Sequence, residues 1–496
     1  MKRIVNALGN ILVLSATAAM TLPGQTFTVL FNFDTTDGQY PEAALVQGTD
    51  GNLYGTTTYG GAAGPDFHFG TAYKITPGGT LTTLHVFCSP SGCADGKYPE
   101  AGLVQGTEGG FYGTASQGGI TARGNGGGTV FKITPAGTLT TLYTFCAQSG
   151  CPDGDLVTAG VFQAPDGDFY GTTASGGANL GGIPNGGGTV FKITPSATLT
   201  TLYSFCSQSG CPDGSSPNGL VQAANGDFYG TNINGGSFGS GTAFKITPGG
   251  ALTTLYSFCS LSGCTDGANP YAGLIQAPDR DFYGTTFSGG ANNYGTVFKI
   301  TPSGILTTLH SFCSQGGVPL CLDGANPEAA LIRATDGNFY GTTPVGGVFG
   351  SIFKITPSGT LTTLHSFGGR DGNGPRAPLV QATNGDFYGT AQEGGIGGCT
   401  DVTPVGCGTV FRLSVGLGPF VKTLPHAGKV GTAISILGTD LTGATSVSFD
   451  RTPAKFTVAS ATEITATVPA GATTGKIQVV SPAGTLLSDG PFLVLP

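Results

Sequence analysis

Thr26-Phe27-Thr28-Val29-Leu30-Phe31-Asn32-Phe33, near the start of the chain, matches Thr198-Leu199-Thr200-Thr201-Leu202-Tyr203-Ser204-Phe205 position by position. The second form, TLTTLYSF or a close variant, recurs and ends at Phe87, Phe145, Phe205, Phe258, Phe312 and Phe367. In each of those six places it follows a module of the type TVFKIT, found at 71–76, 129–134, 189–194, 242–247, 296–301 and 351–356. A seventh copy of that module, TVFRLS at 409–414, has no TLTTLYSF after it. The orphan at 26–33 supplies what the last unit lacks.

Two further modules complete the unit. A Tyr-Gly-Thr core begins at Tyr54, Tyr112, Tyr170, Tyr229, Tyr283, Tyr340 and Tyr388, at spacings of 58, 58, 59, 54, 57 and 48 residues. A stretch like Leu45-Val46-Gln47 precedes each core. The modules are short, rich in Thr, Val, Ile, Phe and Tyr, roughly alternating, and bounded by Gly, Pro, Asp or Asn, which is how strands read. Asp50-Gly51 and Asn225-Gly226 suit two-residue hairpins, and Thr-Pro-Ser-Gly suits another tight turn. Four antiparallel strands per unit is the size of a propeller blade. The orphan strand then closes seven blades into a ring, which removes the edges an open array must cap.

Composition agrees. Of 496 residues 88 are Gly and 31 Pro, charged residues are 10 %, Met counts 2 and Trp 0. Helical bundles need many Lys, Glu and Arg and are excluded. The pattern breaks at Gly416-Leu417-Gly418-Pro419, and the alternating strands that follow suit a small Ig-like β-sandwich. The expected organisation is a signal peptide at 1–24, a seven-bladed β-propeller at 25–416 and the sandwich at 417–496.

Lys2 and Arg3, the apolar stretch Ile4–Met20 and the small residues Ala16, Ala18 and Ala19 fit a secretory signal, cleaved between Ala18 and Gln25. The rival reading is a retained anchor. Secretion to the periplasm, cell surface or medium is expected, with no transmembrane anchor after cleavage. The formal charge is −8; without Lys2 and Arg3 the count is 18 cations against 28 anions, or −10. A surface this acidic repels phosphate backbones, which argues against nucleic acid as partner. All twelve cysteines fall into close pairs: Cys88 with Cys93, Cys146 with Cys151, Cys206 with Cys211, Cys259 with Cys264, Cys313 with Cys321 and Cys399 with Cys407. Local disulfides in an oxidising compartment are expected; zinc would need CxxC-like spacing or nearby histidines.

The YGT–GG and FKITPxGxLTTLYSF signatures resemble the GloVer (Gloeo/Verruco) tandem repeat of secreted bacterial proteins, over about residues 26–415. That family is named for members with varied C-terminal anchors, and the resemblance implies no defined biochemistry. Residues after 417 resemble IPT/TIG domains, which implies a spacer or interaction module.

The chemistry-bearing residues mostly repeat with the blades. A cation sits in every third strand (Lys74, Lys132, Lys192, Lys245, Lys299, Lys354, Arg412), and an Asp precedes Gly after every fourth (Asp37, Asp95, Asp153, Asp213, Asp266, Asp323, Asp371). A catalytic site needs an asymmetric set of groups, so the Asp reads as turn chemistry and the Lys as an edge residue with a cross-strand partner. His85, His310 and His365 stand where other units have Tyr143, Tyr203 and Tyr256, and read as packing residues. Glu42, Glu100 and Glu328 share a Pro-Glu-Ala context; they are glycosidase candidates by residue type, but their recurrence favours a role in the repeat. No nucleophile elbow, zinc helix or phosphate loop occurs, and no cofactor or metal site is expected.

Strand alternation divides the ring into two faces. First–second and third–fourth turns emerge on one face and are short. Second–third loops and blade-to-blade connections emerge on the other and vary, with steps of 15, 15, 17, 11, 11, 9 and 19 residues from Gly55, Gly113, Gly171, Gly230, Gly284, Gly341 and Gly389 to the next strand. Every cysteine pair falls in this variable set. A glycan or protein ligand is expected there, at the residues that break the repeat: Asp66, His68, Arg123, Tyr294, Arg370, Arg376, Glu393 and Asp401. The function read from this is a secreted bacterial binding or surface-interaction protein. The alternatives are a propeller-type carbohydrate hydrolase or lyase and a structural envelope component.

Overall fold

The computed structural model describes residues 24–61, 69–89, 92–119, 126–179, 185–317, 320–397, 399 and 406–495. The expected signal segment lies outside them, apart from Gly24. Seven four-stranded antiparallel sheets form the blades of a β-propeller. Blade 1 is typical, with strands Val46–Gln47, Leu53–Thr57, Thr71–Ile75 and Leu81–Val86 in spatial order. Blade 7 takes three strands from the end of the array, Val380–Gln381, Phe387–Ala391 and Thr409–Ser414. Its fourth is the N-terminal strand Thr26–Asn32, antiparallel to Thr409–Ser414. The ring is closed as the orphan strand requires.

The modules recur because each carries one inter-blade contact. The Thr of every Tyr-Gly-Thr donates its hydroxyl to a main-chain carbonyl of the next blade at 2.8–3.3 Å: Thr56, Thr114, Thr172, Thr231, Thr285, Thr342 and, across the seam, Thr390 to Ala43. The Tyr ring packs on the next blade's second strand, as in Tyr54 on Phe111 and Tyr112 on Phe169, both with centroids 3.9 Å apart. At the seam the partner is Leu53, in one core cluster with Tyr388. The last Phe of each fourth strand meets the third-strand aromatic of the next blade, from Phe87 on Phe131 to Phe33 on Tyr73. The Gly has no side chain because that aromatic occupies the space: a Cβ on Gly113 would lie 2.6 Å from the Phe131 ring.

Tyr73 stands where six units have Phe, and its buried hydroxyl has no hydrogen-bond partner among the described residues. Leaving such a group unsatisfied costs about 1–3 kcal/mol. Tyr73→Phe is therefore expected to raise stability against urea by about 1–2 kcal/mol; a loss of stability would show that the hydroxyl is bonded.

The six disulfides are those read from the cysteine spacing. Cys88 is bonded to Cys93, Cys146 to Cys151, Cys206 to Cys211, Cys259 to Cys264, Cys313 to Cys321 and Cys399 to Cys407. No cysteine among the described residues is free. In the first five pairs both cysteines have left-handed backbone, with φ between 40° and 63°, which the spacing did not foretell. Each pair closes a loop on the variable face of the ring.

The C-terminal sandwich packs a four-stranded sheet on a five-stranded one around Ile434, Ile436, Phe449, Ile464, Ile477 and Phe492. It docks on the short-turn face at blades 7 and 1. There Thr462 donates to the Thr49 carbonyl at 2.8 Å, the Phe420 amide donates to the Thr383 carbonyl at 2.9 Å, and Thr383 and Thr439 share a hydrogen bond.

Candidate functional site: the mouth of the central channel

On the short-turn face the repeated cation is ion-paired with an acid of its own blade in five of the seven blades, with Arg412 on Asp386 at 3.9 Å the longest pair. Lys132, Lys192, Lys245 and Lys299 pair with Glu108, Asp168, Asp227 and Asp281, acids of the first–second turn. The partner of the repeated cation is thus a turn acid, with the neighbouring strand only setting the distance.

The repeated Asp-Gly is more than a turn. Six of the seven carboxylates hold the ring edge of the fourth-strand His or Tyr at 2.8–3.0 Å, from His85–Asp95 to His365–Asp371. The histidines do pack, as His85 on Phe87 and His310 on Phe312, and they are hydrogen-bonding clamps as well, interchangeable with Tyr because both present a polar ring edge. Asp37 is the exception, since Phe31 occupies the clamp position. Burial pushes Asp37 up to about 6, and the neighbouring Asp34 charge adds to the shift.

The other face is asymmetric. Just before each inner strand, between a residue that is usually Pro and one that is usually Ala, the seven units carry Glu42, Glu100, Thr158, Asn218, Tyr271, Glu328 and Arg376. Two positions earlier the backbone is left-handed in all seven blades. Asn269 and Asn326 tolerate this, and Gly374 does so freely, but Tyr40 (φ 55°) and Tyr98 (φ 59°) are held there against a steric penalty. Side chains from blades 6, 7, 1 and 2 meet at this ring. Arg376 forms an ion pair with Glu328 and donates from Nε to Gln392 at 2.6 Å; Gln392 donates in turn to Glu42. Thr58 donates to the other oxygen of Glu42 at 2.9 Å, Ser116 to Glu100 at 3.0 Å, and Asn373 to Glu393 at 2.7 Å. Blades radiate from the axis, so groups two blades apart influence one another only beside the channel.

Burial raises the Glu42 carboxyl above its ordinary range. The Thr58 hydrogen bond and the Arg376 charge oppose this, and Glu328 and Glu393 add to it. Glu100 is raised by burial and by Glu42, against its bond from Ser116. Tyrosines line the blade 1–2 side: Tyr59 lies 5.5 Å from Tyr40 and 5.1 Å from Tyr98, ring to ring. The Tyr59 hydroxyl is held protonated by burial and by the nearby Tyr98, Glu42 and Glu100. Tyr59 is nonetheless 41 % exposed, so the tyrosines offer an accessible wall.

Of the residues singled out from sequence, Arg376 and Glu393 sit in this network. Arg370 lies at the rim, in a groove of about 530 Å³ lined by Phe349, Gly369 and Ile396. Tyr294 packs beside the Cys313–Cys321 disulfide and is not at the mouth. Asp66, His68, Arg123 and Asp401 lie outside the described residues. The wider loop face is studded with apolar side chains. Among the described residues, ten of the propeller's eleven exposed large hydrophobics are on it, including Phe238, Leu261, Val348 and Ile396; Ile305, in a third–fourth turn, is the exception. Among the described residues the one cluster of three potential metal ligands is Cys146, Cys151 and Asp155, whose sulfurs are already in a disulfide. No helix among them is long and apolar enough to cross a membrane.

The profile of the Gloeobacter/Verrucomicrobia repeat matches residues 15–221, 165–402 and 319–436, nearly the whole array. The chain belongs to this repeat family. An IPT/TIG domain matches residues 420–492 of the same repeat protein. No curated protein matches it. Among solved structures it is similar to PorZ of Porphyromonas gingivalis, a bacterial surface component of the type-IX secretion system, at 12 % identity over 95 % of this chain and 61 % of that one, TM-score 0.46. It is also similar to the periplasmic gluconolactonase of Pseudomonas aeruginosa, at 16 % identity over 65 % and 84 %, TM-score 0.41. Values at this level carry no information on ligand or chemistry.

Proposed function

We propose that this repeat protein is a secreted bacterial binding or surface-interaction protein that engages a glycan or protein ligand with its loop-bearing face. The observation that carries this is the concentration of exposed apolar side chains on that face, around a polar mouth where the sevenfold repeat breaks down. Exposed apolar side chains gathered on one face, as Leu320 and Leu322 are with Val345 and Val348 in the hydrogen-bonded loops around blade 6, mark interaction sites in proteins. On the opposite face five of the seven repeated cations are ion-paired within their own blades, and the IPT/TIG domain covers part of it. Six disulfides fit an oxidising compartment. A hydrolase reading is weaker, because both oxygens of Glu42 are held by Thr58 and Gln392 and Glu328 is held by Arg376.

The test is retention of the purified protein on cell-envelope material of the bacterium that makes it. Ile396→Asp combined with Val348→Asp is expected to reduce retention about tenfold or more, since central apolar contacts cost over ~1 kcal/mol each when lost. Ile305→Asp, on the other face, is expected to leave it unchanged. The reverse pattern would overturn the reading.

A further inference from the structure

We propose that the tyrosine-walled side of the channel mouth, at blades 1 and 2, is a subsite for a glycan unit bearing a free amine, an amino sugar whose ring stacks on Tyr59 and whose ammonium is received by Glu42 and Glu100. The inference rests on the loop face being the binding face and names the ligand chemistry at one place on it. Three observations lead there.

The first is charge. The mouth gathers four carboxylates, Glu42, Glu100, Glu328 and Glu393, against two cations, Arg376 and Lys97, which leaves an excess of two acids. Lys97 is turned toward aromatic rings, with its ammonium 5.6 Å from the centre of Phe69 and 5.5 Å from that of Tyr98. Arg376 is held by Glu328. Glu42 and Glu100 have no ion pair of their own among the described residues, which leaves them open to a cation carried by a ligand.

The second is spacing. No three of these carboxylates bring their oxygens within 4.8 Å of one another. Three carboxylates on one metal ion would gather their oxygens about that closely. An ammonium on a larger body can bridge separate acceptors. Glu42 retains acceptor capacity, because each carboxylate oxygen takes two hydrogen bonds and only one is used at each.

The third is the wall. Tyr40 and Tyr98 occupy left-handed backbone that Leu156, Ser216, Asn269, Asn326 and Gly374 fill in the other blades, and their rings flank the exposed Tyr59. Aromatic faces attract ammonium groups and pack against the apolar face of a sugar ring.

The experiment is calorimetric titration of the full chain with a glucosamine tetramer and with its fully N-acetylated counterpart, below the pH at which the free amines lose their protons. The free-amine tetramer is expected to bind about tenfold or more tighter, the equivalent of one charge-assisted contact. Tyr59→Ala and Glu100→Gln are each expected to weaken it about tenfold with melting unchanged, and Ile305→Asp, on the opposite face, to leave it as in the parent. Equal affinity for both tetramers, no binding of either, or indifference to Tyr59→Ala overturns the amino-sugar subsite. If any of these occurs while the Ile396 and Val348 variants still lose envelope retention, the amino-sugar inference alone falls. If retention is also unaffected, the loop face itself is wrongly assigned.

Discussion

Deleting residues 26–33 is expected to abolish the stable monomer. The strand makes the outer edge of blade 7 and pairs with Thr409–Ser414 along its length, with one bulge between Val29 and Phe31. Phe27 stacks on His365 of blade 6 at 3.7 Å and also meets Phe367 and Phe411. Phe33 is fully buried against Tyr73 of blade 1. The strand therefore joins blades 6, 7 and 1. Truncating a buried Phe costs about 3–5 kcal/mol, and losing two such anchors with a ladder of hydrogen bonds approaches the whole stability of a typical domain, about 5–15 kcal/mol. It would also expose a hydrogen-bonding edge. Size-exclusion chromatography and thermal melting should show aggregation or a collapse of the transition. A deletion variant that melts like the parent and stays monomeric would mean that the ring is not held by this strand.

Asp323→Ala is expected to cost about 3–5 kcal/mol, the range for leaving buried polar partners without their charge. The carboxylate is completely buried and accepts from His310 at 2.9 Å, the Ser314 hydroxyl at 2.7 Å, and the Ser314 and Gln315 amides at 3.0 and 3.1 Å. Burial alone would raise its pKa, but the bonds from His310, Ser314 and the two amides outweigh that and hold it at about 2. An acid whose folded pKa is depressed stabilises the protein above its unfolded pKa of 3.8. That contribution is lost as pH falls from about 4 through 2. Asp37, raised to about 6, has the opposite sign: its contribution is present at low pH and fades as pH rises from about 4 through 6. Chemical denaturation across pH should therefore show the parent losing stability below pH 4 more steeply than Asp323→Ala. Parallel curves would mean that the carboxylate is not clamped.

The architecture was legible because it is written seven times. Blade strands, the orphan strand and the close cysteine pairs are all local patterns or repeated ones, and each maps to a contact made between neighbours. The His-for-Tyr exchange reads in sequence as packing, which is half of its role; the other half, a polar ring edge facing the following Asp, shows only when the fourth strand and its Asp-Gly are seen side by side. The mouth was legible in part. Arg376 and Glu393 break the repeat and were picked out for that reason. Glu42, Glu100 and Glu328 were set aside because three similar copies read as structural, and Tyr59 carried no mark at all. The signal was present in the seven residues before the inner strands, which vary between neighbours that change little. Its meaning depends on ring closure, which brings Arg376 of blade 7 and Glu42 of blade 1 together from opposite ends of the array. Docking of the IPT/TIG domain on the short-turn face had no sequence signal, since it rests on Thr hydroxyls and main-chain groups such as Thr462 on Thr49.

The central claim is that the loop-bearing face, with the channel mouth at its centre, is the surface that meets the ligand. Hydroxyl-radical footprinting of the full chain, free and bound to envelope material of the bacterium that makes it, tests this most directly. The account predicts protection at Tyr59, Tyr271, Phe238 and Ile396, all exposed in the free protein, and none at Ile305. Protection confined to Ile305 and to Val430 of the IPT/TIG domain would contradict it.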